Sequence, residues 1–172
     1  MWWIYTQCVK PDVIGHFKSD SKPMREQNII DTVVEKLNKY PDIKFDKKND
    51  SELEIFSRDD KGFDILLQTD QREITLHFGT FHWHFDNTEE ETNEMLNQLV
   101  FGLTGIARLK EFFKNGKAYK WTLQIQDREG NWLDNGTMGL MNFNFWTKAD
   151  IRYLQNDLLP KDILYADNET EQ

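Results

Sequence analysis

The stretch Glu73-Ile74-Thr75-Leu76-His77-Phe78-Gly79-Thr80-Phe81-His82-Trp83-His84-Phe85-Asp86 decides how this chain is read. Ile74, Leu76 and Phe78 alternate with polar residues, and a period of two means a strand with one covered face. The alternation slips at Gly79-Thr80, because Phe81, Trp83 and Phe85 have the opposite parity. A bulge or sharp bend there would reverse which side chains face the core. With the aromatics inside, His82, His84 and Asp86 share the other face, and only a bend at Gly79 brings His77 near them.

Downstream, Asp86-Asn87-Thr88 precedes Glu89, Glu90 and Glu91. Cap side chains followed by an acidic first turn satisfy free amides and oppose the positive end of a helix dipole, so a helix starts here. Met95, Leu96, Leu99, Val100, Leu103, Ile106, Leu109 and Phe113 extend its apolar face until Asn115-Gly116. Residues Arg72 to Lys114 thus read as a strand running directly into a long helix of about 40 Å.

Upstream, Leu53 and Ile55, then Phe63, Ile65 and Leu67, alternate in short runs separated by Arg58-Asp59-Asp60-Lys61-Gly62 and Thr69-Asp70-Gln71-Arg72, which predicts an antiparallel meander. Trp2 to Val9 reads as a first strand. A helix begins near Ser21-Lys22-Pro23 and ends at Tyr40-Pro41. Beyond the long helix, Tyr119, Trp121, Leu123 and Ile125 form a strand, Asp134-Asn135-Gly136 a turn, Met138 to Trp146 another strand, and Thr147 to Leu158 a last helix. The expected fold is α+β: an antiparallel meander of about five to seven strands against one long central helix and two shorter helices. Residues 1–166 read as one domain, and the acidic residues 167–172 as a disordered tail.

With Lys+Arg 21 against Asp+Glu 30, the formal net charge of -9 opposes binding to a phosphate backbone and favours cationic protein partners. The one cysteine, Cys8, excludes an intrachain disulfide and points to a reducing compartment. No apolar run is long enough for a membrane helix and no signal peptide is visible, so the expected location is cytoplasmic.

Two histidines two apart on a strand point the same way, as a metal-binding pair requires; His82 and His84 with Asp86 or Glu89 would suit Zn, Mn or Fe in a small metal-dependent enzyme. The plainer reading is an exposed strand face bonded to water or to the next helix. Catalytic signatures are missing: no Gly-x-Ser-x-Gly elbow and no phosphate loop occurs. The acidic groups Asp59, Asp60, Glu89, Glu90 and Glu91, with Trp83, are candidate partner-binding residues, and Trp2, Trp3 and Trp132 are further interface aromatics.

The run Ile74 to Gly79 followed by Phe81 to Asp86 resembles a pattern in small acidic bacterial proteins, some of them immunity proteins of toxin-immunity loci. That resemblance implies a cytoplasmic protein that neutralises a toxin domain by occluding its active site or substrate surface.

Overall fold

The computed structural model describes residues 28–140 and 148–161. The strand expected at Trp2 to Val9, the helix start near Pro23, the stretch Met141 to Trp146 and the acidic tail lie outside the described residues. Two antiparallel sheets and two helices make an α+β fold.

Helix α1, Ile29–Leu37, is capped by Asn28, whose side chain accepts from the Ile30 amide at 2.8 Å, and it buries Ile30, Val33 and Leu37. The first sheet is a five-strand meander in the order β1 Phe45–Asn49, β2 Glu52–Ile55, β3 Ile65–Thr69, β4 Glu73–Phe78 and β5 Phe81–Asp86. β1 is polar apart from Phe45, which packs against the core, and it is held mainly by pairing with β2.

The parity slip at Gly79-Thr80 is a hairpin, not a bulge. Phe78 pairs with Phe81, His77 with His82 and Ile74 with Phe85. A two-residue loop pairs even-numbered positions with odd ones, so both aromatic sets face the core without an inserted residue. Gly79 adopts φ 55°, the positive value such a tight turn asks of its first residue.

Helix α2, Glu89–Thr104, begins where expected: Thr88 caps it by accepting from the Glu91 amide at 3.2 Å. It ends ten residues sooner than the apolar pattern suggests. Gly105, at φ 73°, turns the chain out of the helix, and a Cβ there would meet the Asn156 carbonyl oxygen at 2.3 Å. Residues Ala107–Lys114 then form β6, in which Ala107, Leu109 and Glu111 are buried while Arg108, Lys110 and Phe112 are less so. Ile106, Leu109 and Phe113 fit a helical stripe, but the glycine stop and cross-strand pairing prevail.

The second sheet has the order β8-β7-β6-β9, with β7 Lys117–Gln126, β8 Trp132–Gly139 and β9 Asp150–Gln155. β9 replaces the expected last helix: it completes the free side of β6, and Ile151, placed in the helical stripe, is 48% exposed. Asp134-Asn135-Gly136 is a bulge inside β8 rather than a turn, with the register shifting opposite Leu123 and Gln124.

Helix α2 touches β4, β5 and β6, so it packs on the inner faces of both sheets. The buried apolar residues form one cluster running from Ile30 and Leu53 through Phe78 and Met95 to Leu109, Leu123 and Leu159. Gly102 permits the approach of α2 to β4, since a Cβ there would stand 2.4 Å from the Phe78 ring.

Candidate functional site

The outward face of the first sheet gathers the histidines. Pairing places His77 beside His82, and Thr75 beside His84, so His77 joins the set through the hairpin. Ring centroids are 5.1 Å apart for His77–His82 and 5.4 Å for His82–His84. His84 Nδ1 lies 3.1 Å from Glu73 Oε1 and 3.3 Å from Thr75 Oγ1. Asp86 pairs with Glu73 at the end of the row. Burial holds the His77 pKa below the ordinary histidine value, and the neighbouring His82 and His84 push it the same way; its Nε2 is enclosed without a hydrogen-bond partner. Among the described residues, no group of three or more His, Cys, Asp or Glu side chains is arranged to hold a metal ion.

The same face is acidic. Cross-strand pairing puts Asp46 beside Glu54, and Glu52 beside Gln68, which donates to it at 3.0 Å. Lys48 bridges Asp46 at 2.6 Å and Glu54 at 3.3 Å. Helices α1 and α2 cover the opposite face, where Leu53, Leu67, Leu76 and Phe85 are buried.

The acidic candidates fall at two ends of this sheet. Asp59 and Asp60 are exposed in the loop joining Ile55 to Ile65, at the Gly79-Thr80 end. Glu89, Glu90 and Glu91 follow Asp86 at the other end, about 17 Å away along β5. They do not form one patch. Trp83 is half-buried and packs edge-on against Phe78 and Phe81, at 5.1 and 4.6 Å, so its ring serves the inner face.

A second surface escaped the sequence reading. On the outward face of the second sheet, the Arg108 guanidinium lies 4.0 Å from the centre of the Trp132 ring and 4.4 Å from that of Tyr153. Its Nε donates to Gln124 Oε1 at 2.8 Å, and Gln124 in turn donates to Asp134 at 2.7 Å. Lys110 and Lys120 flank Phe112 at 5.1 and 4.8 Å. Reading residues 106–113 as helix dispersed these side chains around a cylinder; the alternation of Arg108, Lys110 and Phe112 with Leu109 and Glu111 was the available signal. A cleft of about 560 Å³ adjoins this face, lined by Lys61, Thr104, Tyr153, Gln155, Asp157 and Lys161 among others.

The chain matches no protein-family model, no curated protein and no solved structure. Among the described residues, no helix is long and apolar enough to cross a membrane.

Proposed function

We propose that this chain is a cytoplasmic protein-binding module, an immunity protein that neutralises a cognate bacterial toxin by direct binding, and that it meets a cationic partner with the outward face of its first sheet. The observation that carries this reading is the gathering of Asp46, Glu52, Glu54, Glu73 and Asp86 on a sheet face opposite the helices. Like-signed side chains on a rigid sheet raise the local potential and speed encounter with a surface of opposite sign. Calorimetric titration against the protein encoded beside it tests the reading. Binding that weakens in Glu54→Lys and Glu73→Lys supports it; no binding, or binding indifferent to both changes, overturns it.

A second reading, a metal-dependent enzyme using His82, His84 and Asp86, rests on the adjacency of the His82 and His84 rings at 5.4 Å. Zn, Mn or Fe would then copurify near stoichiometry and be lost in a His82→Ala/His84→Ala variant. Metal-free protein whose melting temperature ignores added metal rejects this alternative.

A further inference from the structure

Among the described residues, strand β9 ends the second sheet and presents backbone groups that no strand receives. In its ladder with β6, Gln155 stands opposite Arg108, yet the Gln155 amide donates outward to the Lys61 carbonyl at 2.8 Å. Hydrogen-bonded and non-bonded pairs alternate along an antiparallel ladder. Arg108 and Gln155 are therefore a non-bonded pair, and so are Lys110 with Tyr153 and Phe112 with Ile151. The N–H and C=O groups of Tyr153 and Ile151 consequently point away from β6, and among the described residues they have no backbone partner.

The side chains around this edge add a chemical preference. Ile151 and Tyr153 are 48% and 46% exposed. Arg108 stacks on the Tyr153 ring and Lys110 Nζ lies 5.9 Å from it, while Arg152, on the other face of β9, is committed to the Glu111 carboxylate. An edge unpaired among the described residues, with Arg108, Lys110 and half-exposed apolar groups on one face, is a template for an extended anionic chain.

We propose that β9 is a docking edge for an extended acidic segment of a partner protein, which joins the second sheet as an added strand and lays its carboxylates over Arg108 and Lys110. The surface is separate from the acidic face of the first sheet and does not depend on that reading. A peptide backbone suits the edge better than single-stranded nucleic acid does. The outward groups recur at strand spacing, and Arg108 already occupies one face of both Trp132 and Tyr153, where bases would stack.

Fluorescence anisotropy with the full chain tests this, using a labelled peptide that alternates Glu with Val and Thr. Saturable binding is expected. It should weaken by about tenfold in Arg108→Glu/Lys110→Glu and further with added salt. Ile151→Pro removes an outward N–H while sparing the β6 ladder, so it should lower binding without changing the circular dichroism spectrum. Should that variant unfold, the same peptide with alternate amides N-methylated decides the matter, because it leaves the protein untouched and should not bind. Several outcomes overturn the proposal: no binding, equal binding of a Lys-Val-Thr peptide, undiminished binding of the N-methylated peptide, preferential binding of oligouridylate, or self-association of the chain in place of peptide binding.

Discussion

Asn156 and Phe63 face each other as two paired backbone segments would: the Phe63 amide donates to Asn156 Oδ1 at 3.0 Å, and Asn156 Nδ2 donates to the Phe63 carbonyl at 3.0 Å. Asn156 is buried and follows β9, whereas Phe63 precedes β3, so this side chain ties the two sheets together. Asn156→Ala would leave both Phe63 groups enclosed and unpaired. We expect a loss of about 2–4 kcal/mol, read from urea unfolding. Asn156→Asp should also destabilise, because a carboxylate accepts but cannot donate to the Phe63 carbonyl. Unchanged midpoints in both variants would show that the pairing carries no weight.

The contact of Gly102 with Phe78 predicts intolerance of a single methyl group. Gly102→Ala gains helix propensity, but the new carbon would meet the Phe78 ring at 2.4 to 3.0 Å. The net effect should be destabilising by about 1–3 kcal/mol. Phe78→Leu costs stability by itself, yet combined with Gly102→Ala it should cost less than the two separate losses together. A double-mutant cycle measures that coupling.

Glu111 is buried, with its side chain 7% exposed; it accepts from Trp121 Nε1 at 2.9 Å and from Arg152 Nε and Nη2 at 2.8 and 2.6 Å. Arg152→Leu would remove the only cation on this carboxylate among the described residues. Arg152 is itself more than half exposed, so screening tempers its worth, and the expected loss is about 1–3 kcal/mol. Thermal unfolding of Arg152→Leu and Glu111→Gln checks it: the arginine variant should be the less stable, since Glu111→Gln leaves no uncompensated buried charge.

His77 makes the stability depend on pH. Its folded pKa lies below the ordinary histidine value of 6.5, so the unfolded chain binds a proton first as pH falls. This penalty is absent well above pH 6.5 and grows as the pH drops below that value, levelling once folded His77 also protonates. Asp50, held low by Lys47, and Asp70, held low by the Glu73 and Arg72 amides, contribute stability present above the ordinary aspartate value of 3.8 and lost as acid protonates them. His77→Gln should flatten the fall in unfolding midpoint between about pH 7 and 5 and leave the steeper acid limb in place. A slope unaffected by the substitution would place the titration elsewhere.

These elements differ in how far local chemistry decides them. Thr88 and the glutamates after it announce the start of α2 because a cap acts within one turn. The alternation on either side of Gly79-Thr80 is legible, but it reads as one bent strand where the structure has two joined by a hairpin, since a parity change has two causes and only the ladder tells them apart. Gly102 and Gly105 are legible as points of a kink or close backbone approach, but not the stop itself: leucines before Gly105 and Ile106, Leu109 and Phe113 after it keep a helical spacing across a residue that tertiary contact holds in the left-handed region. β1 lacks an apolar signature of its own and β9 carries one that fits a helix; both are strands because a neighbouring strand has a side to fill. The histidine face could be foreseen in part, from His82 and His84. The Arg108 surface could not be seen while β6 was read as helix, because its members come from three strands distant in sequence.

Because α2 packs on the inner faces of both sheets, the carboxylates of the first and the arginine and lysines of the second are turned away from a common centre. Among the described residues, such an arrangement sets charges of opposite sign on opposite sides. A charged partner still some distance off exerts a torque as well as a pull, and the protein rotates the matching side toward it before contact. Orientation, and not only rate, should therefore fade as ionic strength rises.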